Sequence, residues 1–146
     1  MSLQQWFDNC WLRKHRTDRQ EIANLLQIVD RDLKDAREKS ISPDWRFNIA
    51  YNAALKLCTI LLAAEGYRPE RTLQHYRTIL AMPEILGQKF KEDVQYLDTC
   101  RKKRNIAEYD QIGVISETEA AELLKFAKIL RQEVLNWLKA NHSGLL

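Results

Sequence analysis

The segment between Ser42 and Gly66 constrains this chain more than any other. Ser42 followed by Pro43 is a helix start, because a proline in the first turn gives up an N–H that has no partner there anyway. Gly66 is the matching stop, a residue that tolerates the backbone reversal after a last turn. Between them, Phe47, Ile49, Ala50, Tyr51, Ala53, Ala54, Leu55, Leu57, Cys58, Ile60, Leu61 and Leu62 cover most of the helix circumference. A helix that is apolar nearly all round must be wrapped by other elements, so the spacing predicts a central helix running to about Glu65. Its polar remainder, Asn48, Asn52, Lys56 and Thr59, falls in a narrow arc when each residue advances about 100°. That arc faces either solvent or a polar site or dimer seam.

The rest of the chain supplies the neighbours. A short helix is expected over Leu3 to Lys14, and Thr17 with Gln20 offers a capping box for a second, half-exposed helix carrying Ile22, Leu25, Leu26, Val29, Leu33 and Ala36 at helical spacing. A fourth segment, Arg71 to Leu86, contains Pro83, which breaks or kinks a helix from inside. A fifth spans about Lys89 to Glu108. Ser116 with Glu119 caps the last helix, whose Ala120, Leu123, Leu124, Ala127, Leu130, Val134, Trp137 and Leu138 form one apolar stripe ending near Lys139. Asn141 to Leu146 reads as a frayed end. With only 4 Gly and 3 Pro, and no repeat or long linker, the chain reads as one all-α domain over 1–146. It is a bundle of five to six helices with its core at about 17–139. A 45% hydrophobic content over 146 residues suffices for a core without metals or disulfides.

Charge and cysteine content exclude several classes. The 23 basic residues against 20 acidic ones leave a net charge of +3, so any nucleic-acid site must be local. Cys10, Cys58 and Cys100 are odd in number and widely spaced; they read as buried thiols of a reducing compartment rather than a disulfide framework. His15, His75 and His142 are too scattered for a metal site, and no glycine-rich phosphate loop is present, so neither metal nor cofactor is expected. The longest apolar run, Leu57 to Ala64, is interrupted by Thr59 and too short to span a bilayer. A cytoplasmic protein with no membrane partner is the simplest expectation.

Chemistry concentrates in Arg101-Lys102-Lys103-Arg104-Asn105-Ile106-Ala107-Glu108-Tyr109-Asp110. Phe90, Val94 and Leu97 mark the buried face of the fifth helix, and steps of three and four along that face land on Arg101, Arg104 and Glu108. Charges that follow an apolar seam must be paired, reach water, or meet partners from another chain. One reading is a solvated helix end, with its bases near the negative pole of the helix dipole. The other is a phosphate site, in which Arg104 offers a planar fork and Arg101, Lys102 and Lys103 add attraction that ignores sequence. A second basic cluster, Arg13-Lys14-His15-Arg16 with Arg19, reads as a solvated turn or as auxiliary attraction for RNA.

The stretch Arg104-Asn105-x-x-x-Tyr109 on a late helix resembles the signature of the HEPN superfamily, an arginine, often with a polar residue after it, followed some positions later by histidine. The run Asp44-Trp45-Arg46-Phe47-x-x-Ala50-Tyr51-Asn52-Ala53-Ala54-Leu55, with Gly66-Tyr67-Arg68-Pro69 and His75-Tyr76, resembles HEPN-like bacterial and archaeal proteins carrying an Arg-Asn-x-x-x-Tyr-Asp version. The resemblance covers Ile41 to Leu138. It implies a HEPN-like bundle that forms a homodimer, with two motifs meeting at the seam in a metal-independent ribonuclease site. Arg104 would hold the scissile phosphate, Asn105 would orient the site, and Tyr109 stands where the catalytic histidine belongs; Arg101, Lys102, Lys103 and Asn52 would bind substrate.

The departure at Tyr109 weakens the nuclease expectation, since a tyrosine in water titrates at about 10 and histidine near neutrality. Tyr109 is a hydrogen-bonding or stacking group in a site that binds without cutting, a general acid in a weakened nuclease, or an ordinary packed aromatic. His75 lies on the fourth helix, away from the family's histidine position, and reads as structural. A two-fold contact would bring each Arg104 near its mate, which requires an anion or Glu108 between them. The resemblance also implies a toxin–antitoxin, defence or stress setting, with RNA and an antitoxin or nucleotidyltransferase as partners. The alternative from another class is a non-catalytic helical module that docks a partner protein through the same surface or the last helix.

Overall fold

The computed structural model describes residues 1–146. Its elements are α1 (Leu3–Asp8), β1 (Leu12–Lys14), α2 (Arg19–Asp35), α3 (Pro43–Ala64), β2 (Tyr67–Pro69), α4 (Gln74–Leu80), α5 (Met82–Leu86), α6 (Lys91–Asn105) and α7 (Glu117–Asn141). The single-bundle reading holds, with α3 at the centre, touching α2, α4, α5, α6 and α7. Thirteen of its residues are buried, among them Phe47, Tyr51, Leu57, Ile60 and Leu61. Each large apolar side chain so enclosed contributes about 1.5–3 kcal/mol relative to exposure. The start and stop signals act as read: Ser42 Oγ accepts from Trp45 N with Pro43 in the first turn, and Gly66 turns the chain at φ +88°.

Judged as a whole helix, α3 is long and apolar enough to cross a membrane, which the short run from Leu57 to Ala64 concealed. However, 67% of that window is buried inside the bundle, so packing against five helices accounts for its apolarity.

Several other expectations are corrected. The first helix stops at Asp8, and Leu12–Lys14 instead pairs antiparallel with Tyr67–Pro69, Arg13 opposite Arg68. Leu12 is thereby buried with Trp6, Leu62, Tyr67 and Ala81 in a second small core. The cap of α2 is Asp18, whose carboxylate accepts from Glu21 N, rather than Thr17, whose hydroxyl donates to the Glu21 side chain. The break expected in the fourth segment is present but falls two residues earlier, at Ala81 between α4 and α5, so that Pro83 lies in the first turn of α5, where its missing donor costs nothing. Cys10 is exposed, unlike Cys58 and Cys100. The last residues are ordered against the fold, with a 3-10 turn at Ser143–Leu145 and Arg19 Nη2 donating to the Leu146 carbonyl at 2.6 Å.

α7 opens with the expected capping box, Ser116 and Glu119 satisfying each other's backbone N–H groups. Two contacts that the sequence did not reveal set its approach to α3. Asp44, in the first turn of α3, accepts from Gly113 N at 2.6 Å and Ile115 N at 3.1 Å. Arg46, 5% exposed, donates to the Ala36 carbonyl at 3.0 Å and to Glu117 at 2.6 Å, tying the ends of α2 and α7 together.

Candidate functional site

The end of α6 is wound differently from the rest of the helix. After Asn105 the chain makes a π-helical turn over Ile106–Asp110, closed by Gln111 N donating to the Ile106 carbonyl at 2.9 Å. Such turns interrupt the regular ladder and recur where a side chain must be re-aimed. Here the turn leaves Arg104 and Glu108 on one face, and Arg104 Nη2 meets Glu108 Oε2 at 2.9 Å.

Arg104 is fixed from several directions. Its Nε donates to Asn48 Oδ1 at 2.9 Å and its Nη1 to Asn105 Oδ1 at 3.3 Å. Its guanidinium stands 5.6 Å from the centre of the Tyr51 ring, within cation–π range. A planar fork held this way keeps its geometry without spending entropy when an anion arrives. Beside it lies a cleft of about 270 Å³ lined by Asp44, Trp45, Asn48, Arg104, Glu108 and Ile112 among others.

The other basic residues of the run are paired too. Arg101 Nε contacts Asp98 Oδ1 at 2.8 Å, Lys102 contacts the other Asp98 oxygen at 3.5 Å, and Lys103 is bonded to Glu119. That bond holds the Lys103 ammonium above its ordinary range and the Glu119 carboxyl below its own. Both readings of the run survive in part. The seam charges are paired within the chain, and Arg104 still reaches a cleft.

The candidate residues are thus not all brought together. Arg104 and Asn105 are in contact, whereas Tyr109 projects outward, 71% exposed and without a hydrogen-bond partner, so the packed-aromatic reading fails. Asn52 does not join the site. Its Nδ2 donates at 2.6 Å to Asp32 Oδ2 on α2, and the asparagine one turn earlier, Asn48, is the one that holds Arg104. The polar arc of α3 is half-buried throughout, at Asn48, Asn52, Lys56 and Thr59, so it is no plain solvent strip.

Sequence reasoning missed the neighbourhood of His75. Its ring lies 6.3 Å from that of Tyr51, which also has Arg104 near it, and Tyr76 receives the Arg101 guanidinium at 5.4 Å. Burial first, then the charges of Arg104, Lys56 and Arg101, push the His75 imidazole below its ordinary range. Burial pushes the Tyr51 phenol up, against the pull of the same two arginines, and its hydroxyl is the one buried side-chain polar atom with no partner. The adjacency of His75 and Tyr76 to an arginine cluster twenty-odd residues on had no local signal beyond the aromatic-basic composition. No group of three or more His, Cys, Asp or Glu side chains converges anywhere in the fold.

Comparison with curated proteins and with solved structures finds no match to this chain. The family model described as the HEPN domain matches residues 22–139, a span that begins in α2, contains the whole of α3 to α6 with the Arg104 turn, and ends in α7. Fold and match agree, and the chain belongs to the HEPN family.

Proposed function

We propose that the chain binds single-stranded RNA through the Arg104 cleft, as a homodimer. The observation that carries this reading is the state of Arg104. It is oriented by Asn48, Asn105 and Tyr51, and its remaining face is occupied by a carboxylate, which stands where a phosphodiester would bind. The exposed ring of Tyr109 nearby is suited to stacking on a base, which needs only a free aromatic face. Nothing orients its hydroxyl for proton transfer, so binding is better supported than the metal-independent cleavage that the family resemblance implies.

The dimer reading rests on where the apolar surface lies. Of the nine large hydrophobic residues left exposed, Trp45 and Ile112 line this cleft, Ile112 at 93% exposure, and Ile106 and Val114 belong to the same stretch of chain as Ile112. A patch of this kind beside a polar cleft marks a contact surface. A second copy covering it brings two Arg104 clefts to one seam, each neutralised by its own Glu108. In this reading the protein works in the cytoplasm, in a toxin–antitoxin, defence or stress setting, and an antitoxin or nucleotidyltransferase partner acts by covering the seam. The same patch favours one alternative, a non-catalytic module that docks a partner protein there.

The test is binding and cleavage of a generic RNA, without added metal, by the wild-type protein and by Arg104→Ala, with sedimentation of both samples. Dimeric wild-type protein that binds RNA, and a folded variant that does not, is the expected result. Cleavage lost in the variant would add the nuclease step. No binding by either protein would leave the interaction module as the better account, and equal binding by both would move the RNA site away from Arg104.

A further inference from the structure

Resting on the RNA-binding reading, we infer that the strand does not end at Arg104 but continues along the polar arc of α3 to a second phosphate site at Arg68 and Arg71. These arginines sit at the far end of the arc, in a pocket of about 340 Å³ that also contains His15, Glu21, Thr59 and Gln74. Neither Arg68 nor Arg71 makes an ion pair or a side-chain hydrogen bond, and both are exposed. This sets them apart from Arg101, Lys102, Lys103 and Arg104, every one of which has an acidic partner. Cations with no carboxylate bonded to them are the stronger attraction for a polyanion, and the one acid whose charge reaches Arg71, Glu70, is itself bonded to Arg13.

The ground between the two sites is continuous in chemistry. Lys56 and His75 lie between them, neither in an ion pair, and the charges of Lys56 and of the α6 arginines all reach the His75 ring. His75 precedes Tyr76 and follows Gln74, so one turn of α4 joins the Arg104 neighbourhood to the pocket wall. The acidic groups along the border are already engaged. Asp32 accepts from Asn52 and Arg31, and Glu21 accepts from both His15 and Thr17 at 2.7 Å. From Asn48 to Thr59 the helix rises about 16 Å, a span that several nucleotides of an extended strand cover.

The chemistry recognised is therefore a run of phosphodiesters, with base identity left unread, since the strip offers cations and amides rather than a fixed set of donors and acceptors aimed at base edges. The experiment measures the dissociation constant of a labelled single-stranded RNA against salt for wild type, Arg68→Ala/Arg71→Ala, Arg104→Ala, and Lys128→Ala as a control on the exposed face of α7. Each single-strand phosphate that the protein no longer neutralises takes about 0.7 off the log–log salt slope. The double variant is expected to lower the slope by about 1.4. It should also lose the preference of wild type for a long oligonucleotide over one too short to reach the pocket, with Lys128→Ala unchanged. Wild-type slope and length preference in the double variant, while Arg104→Ala still fails to bind, overturns the path and leaves the Arg104 reading standing. Loss in the double variant with none in Arg104→Ala overturns the Arg104 reading and keeps the pocket. No RNA binding by wild type overturns both.

Discussion

Replacing Glu108 by glutamine is expected to tighten RNA binding rather than weaken it. In the free protein the Glu108 carboxylate contacts Arg104 Nη2 at 2.9 Å, and the two side chains are only 28% and 20% exposed. An entering phosphate must displace that carboxylate. Fully exposed pairs one helical turn apart are worth about 0.3–0.5 kcal/mol, and partial burial raises this one to about 1 kcal/mol. Glutamine keeps the shape but removes the competing charge, while Asn48, Asn105 and Tyr51 still hold the guanidinium. A gain of about 1 kcal/mol corresponds to roughly fivefold tighter binding, with a comparable loss in folding stability because the pair is gone. Fluorescence anisotropy at one fixed salt concentration reads the first quantity and urea unfolding the second. Glu108→Gln protein that folds but binds no better than wild type would refute the competition, as would a gain that persists in Glu108→Gln/Arg104→Ala.

Two further expectations concern titrating groups. Burial pushes the Cys58 thiol up to about 12 and, against a hydrogen bond with Tyr96, the Cys100 thiol to about 11, so native protein treated with iodoacetamide near neutral pH should gain one adduct, at Cys10, by mass spectrometry. Two or more adducts on folded protein would contradict the burial. His75 is held below the ordinary histidine range, so just below about pH 6.5 the unfolded chain binds the proton that the native state refuses, and stability falls as the pH drops. His75→Gln should flatten that part of the stability profile in urea titrations on either side of about pH 6.5; profiles of identical slope would rule the effect out.

The residues that proved legible in sequence are those whose partners lie within a turn or two. Ser42-Pro43, Ser116 with Glu119, and the apolar periodicity of α3 and α7 report on their own helices, because capping and amphipathic burial act over three to four residues. The same locality put Arg104 and Glu108 on one face, and the structure shows that they pair. Thr17 and Asp18 are both acceptable cap residues, so sequence does not distinguish them, and the folded chain uses Asp18.

What the sequence by itself determined is therefore the class of fold and the location of the cationic run at Arg101 to Arg104. The tertiary structure alone decided which groups converge on that run. The β1–β2 pairing joins residues more than fifty positions apart. Asn48 and Asn52 are indistinguishable on the helix wheel, yet one turns to Arg104 on α6 and the other to Asp32 on α2. His75 and Tyr51 meet only because α4 docks over α3. Each of these contacts depends on which helix lies alongside which, and that is settled by the summed packing of the whole core. No short-range pattern records it.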